Sequence, residues 1–172
     1  MLPWCGRAER PPICAYTEVS RDPAASKSTS AQTLSRFATR VQNELGIAGE
    51  VSISVTSDRE MQALNRRFRK KNEPTDVLTF PSASAASAGD IAISLEIAAA
   101  NAAELRHSLA TEVKVLILHG MLHLAGYDHE IDDGEMQARE FLLRKKFKLP
   151  VGLIERAHAT AAKGPKRGGP RA

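Results

Sequence analysis

The sequence predicts an α+β fold: a small mixed four-stranded sheet with about five helices packed around it. Two observations favour this class. Segments with strand character and segments with the apolar spacing of amphipathic helices both occur, and they do not follow the strict alternation typical of βαβ units. At 172 residues the chain is also long enough for one domain with a sizeable core.

The N-terminal part of the chain is predicted to hold an extension, a strand and a helix. Residues 1–12 are rich in proline and charge and lack periodicity, and residues 13–19 have the composition of a first strand. Thr29 or Ser30 can cap the helix that follows, and Gly46 can end it. The apolar positions of this helix are spaced by three or four residues, at Leu34, Phe37, Ala38, Val41 and Leu45.

The middle of the chain is predicted to hold three strands and a short helix. Residues 51–55 alternate apolar and polar side chains, as a half-buried strand does. Ser57 and Glu60 have the spacing of a capping box, which opens a short helix after that strand. Two further short strands are predicted at residues 75–80, which lie between two prolines, and at residues 90–94.

Two adjacent helices are predicted next. Ser94 is expected to cap an alanine-rich helix over residues 95–106. His107 and Ser108 separate it from a long apolar helix that reaches about Ala125. His107 and His158 match no motif, so both are expected at the surface.

A last helix is predicted to begin near Asp132 and Asp133, whose charges favour a helix N-terminus, and to end before Pro150. The apolar positions assigned to it are Met136, Phe141, Leu142 and Phe147. A short helical turn can follow around Leu153 and Ile154.

The net charge of +4 is concentrated at the C-terminus. Residues 163–172 hold four cations and no acid, so the rest of the chain carries 20 basic and 20 acidic side chains. Any basic recognition surface in the domain must therefore be local. We expect a flexible N-terminal extension at residues 1–12, a folded domain at residues 13–150, and a basic C-terminal extension at residues 151–172 that is disordered from about residue 163.

The sequence carries no sign of membrane or secretory targeting. No apolar run approaches the ~18–20 residues of a transmembrane helix. The N-terminus lacks the apolar run of a signal peptide. Cys5 and Cys14 lack a metal-type spacing, and reduced thiols are the simplest interpretation. We therefore expect a cytoplasmic protein without a membrane partner.

Residues 116–130, LILHGMLHLAGYDHE, hold three of the five histidines of the chain. His119 and His123 are four residues apart, so their rings project from one face of a helix. Gly126 can end that helix in a left-handed conformation that turns His129 back toward the first two rings. Three neutral imidazoles with one open position are typical of a catalytic zinc site, so we expect one zinc ion per chain. Nickel or another divalent ion suits the same ligands and stays an alternative.

The spacing of the three histidines also occurs in metzincin metalloproteases. Those enzymes carry a glutamate directly after the first histidine, as the general base of peptide hydrolysis. Here that position is Gly120, which has no side chain that could take a proton. A metzincin-like metalloprotease, or another metal hydrolase, is therefore an alternative that keeps the metal and loses the base.

The stretch HGMLHLAGYDH, residues 119–129, resembles the signature of the YbeY family of bacterial rRNA-maturation endoribonucleases. Two further blocks support the resemblance: LNRRFR at residues 64–69, leading into PTDVLTFP at residues 74–81, and GDIAIS at residues 89–94. The resemblance covers about residues 13–149. It implies the same α+β fold, with the metal at the mouth of a cleft.

The resemblance implies a single-strand-specific, metal-dependent endoribonuclease that matures the 3′ end of small-subunit rRNA and serves ribosome quality control. The expected partners are an rRNA precursor and the ribosomal small subunit, with no nucleotide cofactor. His119, His123 and His129 match the metal ligands of the family, and Arg69 matches its cleft arginine. Arg69 would contact phosphate and stabilise charge in the transition state.

Arg69 belongs to a basic run whose other members are possible contacts to the RNA backbone or plain surface: Arg66, Arg67, Lys70 and Lys71. Asp128 is a possible partner of water or of a ligand imidazole, and it can equally be a turn residue. Either an activated water or the ribose 2′-hydroxyl could be the nucleophile, because no side chain of the motif is an obvious general base. A ribosome assembly factor with a structural metal is a further alternative.

Overall fold

The computed structural model describes residues 31–84, 86–154 and 156. Within them, three strands form one mixed sheet: β1 (Glu50–Thr56), β2 (Val77–Pro81) and β3 (Ser87–Ser94). The sheet order is β1-β3-β2, with β1 parallel and β2 antiparallel to the central strand β3. The predicted α+β class is confirmed. The described sheet has three strands rather than the predicted four, and the expected first strand, at residues 13–19, lies outside the described residues.

In the part of the chain that the structure describes, five helices surround the sheet: α1 (Ala31–Leu45), α2 (Asp58–Arg69), α3 (Leu95–Glu104), α4 (Leu109–Leu124) and α5 (Glu135–Phe147). Side-chain caps begin three of them, because the first N–H groups of a helix have no partner within it. Ser57 and Glu60 form the predicted capping box of α2, and Ser94 and Ser108 accept from backbone N–H groups at the starts of α3 and α4. None of the helices among the described residues is long and apolar enough to cross a membrane.

The core lies on both faces of β3. Ile91 and Ile93 belong to the main core with α1 and α4, whereas Ala92 packs with Met61 and Leu78 in a smaller cluster under α2. Eleven of the residues of α4 are buried, so this helix is surrounded by protein along its length. Burial on every side explains why the histidine motif follows an almost uninterrupted apolar run.

The buried face of α5 differs from the one predicted. Phe141 and Leu142 are 44% and 57% exposed, and the buried residues are Met136, Glu140, Leu143 and Arg144. The prediction followed the apolar residues, but two charged side chains occupy core positions here. Phe141 is covered instead by the Lys145 ammonium, 4.2 Å from its ring centroid. The helix also ends at Phe147, because Lys148 takes a left-handed conformation before Pro150 is reached.

His107, expected at the surface from its lack of a motif, is a second difference. Its side chain is 14% exposed, and its Nε2 lies 3.2 Å from the carboxylate of the fully buried Glu112. Arg156 donates to both oxygens of the same carboxylate, at 2.7 and 3.0 Å. A buried carboxylate requires polar partners, so Arg156 and His107 both lie beside Glu112 at the start of α4. His158 lies outside the described residues.

Gly120 lies where α4 crosses the sheet. A Cβ at this position would stand 3.0 Å from two side-chain carbons of Ile91 and 3.2 Å from the Thr79 hydroxyl. Gly120 is buried, so the missing side chain allows the helix to approach β2 and β3 closely. The residue that separates this motif from that of the metzincins therefore also has a packing role.

We expect Gly120→Ala to lower the free energy of unfolding by about 1–3 kcal/mol, because the added methyl group overpacks the contact with Ile91. At an exposed helix position, replacing glycine by alanine would instead raise the free energy of unfolding by about 1 kcal/mol. Urea unfolding at constant pH measures the change. An increase in stability would show that the sheet relaxes away from α4 without cost.

Candidate metal centre

Three imidazoles converge at the C-terminal end of α4. His119 and His123 lie one turn apart on this helix, and His129 lies in the loop that follows it. One ring nitrogen from each lies within 4.8 Å of the others, and the three ring centroids are 4.8–5.3 Å apart. Exposure rises from the buried His119 through His123 to the exposed His129. The cluster is thus open on one side only.

The turn after α4 places His129. Gly126 has a φ of +92°, in the left-handed region predicted for it, and nothing lies within 4 Å of a Cβ built there. The turn therefore needs glycine at this position for its left-handed backbone and not for lack of space. Asp128 accepts a hydrogen bond from the Glu130 N–H at 3.0 Å, as a turn-forming aspartate does. Of the two roles open to Asp128, the turn is the one with a hydrogen bond in this structure.

Hydrogen bonds fix the orientation of the two helical imidazoles. Nδ1 of His123 lies 3.0 Å from the Tyr127 carbonyl, which can only accept, so Nδ1 carries the proton. Nδ1 of His119 lies 3.3 Å from the Glu140 carboxylate and donates in the same way. Both Nε2 atoms then present lone pairs, and they face each other at 3.2 Å. Two facing lone pairs repel, so the arrangement fits a shared cation.

The donor set matches a metal ion by chemistry and by spacing. Two nitrogens bound at 2.0–2.1 Å to a tetrahedral zinc are about 3.3 Å apart, close to the 3.2 Å between these Nε2 atoms. Neutral imidazole is a ligand of zinc and of other divalent transition metals. The cluster could therefore hold one such ion.

Burial, followed by the neighbouring His119 and His129, lowers the pKa of His123 from 6.5 to about 4. Desolvation penalises the charged imidazolium, and the two other rings would repel it. His123 therefore stays neutral at neutral pH, which is the form that binds a metal.

This shift predicts how acid affects the metal-free protein. Below pH 6.5 the unfolded chain protonates His123, whereas the folded chain does so only near pH 4. The free energy of unfolding should fall across this window, by up to about 3 kcal/mol, and the contribution should be constant above it. Urea unfolding in chelator at pH 7.5, 6 and 5 tests this against His123→Gln, which cannot titrate. Parallel pH curves for the two proteins would contradict it.

Arg69 reaches the same loop from another part of the fold. It is the last residue of α2, and its Nη2 lies 3.1 Å from a carboxylate oxygen of Glu130, next to His129. The two side chains are 47% and 61% exposed. An exposed pair of this kind contributes little to stability, so a phosphate could replace Glu130 at low cost.

The other cations of the basic run are exposed around the end of α2. Lys70 caps the helix in a left-handed conformation and donates to the Arg67 carbonyl. The Arg67 guanidinium lies over the ring of its neighbour Phe68, 5.2 Å from its centroid. Arg66, Arg67, Lys70 and Lys71 are therefore exposed neighbours of Arg69 along the chain, and no contact of theirs with the histidine cluster is seen among the described residues.

The sequence did not reveal three groups that contact the candidate residues. Glu140, the Tyr127 carbonyl and Glu130 pair with His119, His123 and Arg69 respectively. Glu130 lies beside His129, which was a local signal. Glu140 lies 21 positions from His119 along the chain. The sequence offered one signal for it, since Glu140 follows Met136 by four residues and so shares the buried face of α5.

A family model described as Endoribonuclease YbeY matches residues 16–148. Among curated proteins, an Endoribonuclease YbeY from Koribacter versatilis is 55% identical over 138 residues, which cover 80% of this chain and 91% of that protein. An Endoribonuclease YbeY from Solibacter usitatus is 47% identical, over 73% of this chain and 85% of its own length.

A solution structure of a Thermotoga maritima protein resembles the fold. It aligns with a TM-score of 0.51 and 26% identity, over 81% of this chain and 91% of that one. The family match spans both the Arg69 block and the histidine block, so it includes every candidate residue described above.

Proposed function

Because the chain belongs to the YbeY family of endoribonucleases, we propose that it cuts single-stranded RNA with the aid of one zinc ion held by His119, His123 and His129. The family assignment makes it a hydrolase that acts on phosphodiester bonds of RNA. We further propose that its substrate is an rRNA precursor at the 3′ end of the small-subunit RNA. It would then act in the cytoplasm on the ribosomal small subunit and serve ribosome quality control.

One observation carries the site assignment. Three ring nitrogens lie within 4.8 Å of one another, and the Arg69 guanidinium reaches the loop that holds the third ring. A histidine cluster that can hold a metal, beside a cation that can bind phosphate, is a combination that supports phosphodiester cleavage. The metal cluster alone would support a hydrolase of any kind.

We assign separate roles in metal binding and phosphate binding to the residues of the site. His119, His123 and His129 would hold the ion, which supplies a Lewis acid when bound. Arg69 leaves Glu130 and donates in bidentate fashion to the scissile phosphate, where it offsets the charge that develops on the non-bridging oxygens. Arg66, Arg67, Lys70 and Lys71 line the approach and hold neighbouring phosphates without reading bases.

Cleavage assays on three substrates test this function. The purified protein is incubated with single-stranded RNA, with double-stranded RNA of the same sequence and with casein. Each reaction is run with and without chelator, followed by re-addition of zinc. We expect cleavage of the single strand only, its loss in chelator and its recovery with zinc. Elemental analysis of the same preparation identifies the metal.

Other outcomes of these assays favour the alternatives. Cleavage of casein would favour a metalloprotease, which Gly120 disfavours because it leaves the metzincin base position without a carboxylate. Binding to the ribosomal small subunit without RNA cleavage would favour an assembly factor with a structural metal.

A further inference from the structure

Glu140 is an acidic residue in the core of the protein. It lies on the inner face of α5 and is 1% exposed. Burying an isolated carboxylate is costly, so a buried glutamate is expected to have a defined partner. One carboxylate oxygen of Glu140 lies 3.3 Å from Nδ1 of His119, whereas the other ring nitrogen, Nε2, faces His123.

Gly152 packs against the same carboxylate. A Cβ built on this residue would overlap both oxygens and the carboxyl carbon of Glu140, closer than real Cβ contacts come. Gly152 is buried, and its backbone is not left-handed, so its requirement for glycine is one of space. The chain that follows α5 thus closes against Glu140 and leaves its carboxylate facing His119.

We propose that Glu140 is a positioning residue for the metal centre and that Gly152 makes this role possible. The carboxylate accepts the Nδ1–H of His119, which fixes the tautomer that presents the Nε2 lone pair to the ion. It also makes the imidazole a stronger donor to the metal. This inference rests on the proposed metal site and extends it to α5 and the segment after it.

The geometry distinguishes this role from simple core packing. A group that only filled space would be served best by an apolar side chain, because a paired buried charge seldom gains stability over one. The Nδ1 of His123 is held by the Tyr127 carbonyl, so each helical ligand has its own acceptor, and the one for His119 is supplied by another helix. The docking of α5 is therefore coupled to the orientation of the most buried ligand.

Three variants test the proposal, with zinc affinity measured by competition against a chromophoric chelator at a temperature where every variant is folded. Glu140→Leu removes the acceptor and should weaken zinc binding by about 10–100-fold. Glu140→Gln keeps a carbonyl acceptor of the same shape and should recover most of that loss. Gly152→Ala keeps Glu140 but displaces its carboxylate, so its zinc affinity should fall in the same direction.

The matched control is Glu135→Leu, which removes an exposed glutamate from the first turn of the same helix and should leave zinc affinity unchanged. A role confined to packing would change the melting temperature of these proteins without changing the zinc affinity of the folded state. Wild-type affinity in both Glu140→Leu and Gly152→Ala would overturn the proposal.

Nitrogen-15 NMR of the metal-free protein gives a second readout that needs no zinc. His119 should be protonated at Nδ1 in the wild type and in Glu140→Gln, and should become a mixture of tautomers in Glu140→Leu. An Nε2-protonated His119 in the wild type would refute the role of Glu140. Failure of the proposed metal function is a separate result, because it appears as a wild-type protein that binds no zinc.

Discussion

Replacing His123 by alanine should remove metal binding and RNA cleavage together. His123 supplies one of two Nε2 atoms that face each other at 3.2 Å, and only His119 and the exposed His129 would remain. Two imidazoles compete poorly with water for zinc, so affinity should fall by more than the roughly 10–100-fold that loss of an outer hydrogen-bond partner costs. Cleavage should drop to the background of a chelator-treated sample.

The measurements are elemental analysis after dialysis and the rate of cleavage of a single-stranded RNA. His107→Ala is the control, since it removes an imidazole that pairs with Glu112 away from the cluster. This control should lose stability and keep its metal. Full metal occupancy in His123→Ala would show that the three histidines are not the ligand set.

Replacing Arg69 by alanine should leave metal content and fold intact and lower the rate of RNA cleavage by about 10²–10³-fold. The side chain is half exposed and its ion pair is with Glu130, so its loss removes no core contact. Arg69 is expected to act in the transition state, where a positioned cation offsets the charge that develops on phosphate. The effect should appear in kcat more than in KM.

Two further variants separate a positioned guanidinium from diffuse charge. Arg66→Ala removes an exposed cation one turn earlier on α2 and should be milder. Arg69→Lys keeps the charge but loses the planar fork, so its activity should lie near that of Arg69→Ala. Equal losses in Arg66→Ala and Arg69→Ala would mean that the basic run acts as a general electrostatic surface with no special role for Arg69.

The sequence predicted the features of the fold that depend on residues close together along the chain. The capping box of Ser57 and Glu60, the serine cap at Ser94, and the left-handed turn at Gly126 each depend on residues a few positions apart. The convergence of His119, His123 and His129 could be anticipated for the same reason. Helix periodicity and one glycine turn suffice to bring three nearby rings together.

The tertiary structure alone decided which distant groups meet these residues. Glu140 reaches His119 from 21 positions away, and Glu130 reaches Arg69 from 61 positions away. The buried face of α5 could not be read from hydrophobicity, because Glu140 and Arg144 occupy core positions while Phe141 and Leu142 are exposed. The sequence showed only that Gly120 lacks the carboxylate of the metzincin base. The structure adds that a side chain at this position would press against Ile91.

The physical reason is the same in each case. A helix cap or a glycine turn depends on backbone groups that the neighbouring sequence always supplies. A buried charge is stable only when a partner is brought to it by the packing of other elements. The sequence by itself therefore determined the three-histidine motif and the elements that carry it, whereas tertiary packing decided what orients His119 and what lies beside Arg69.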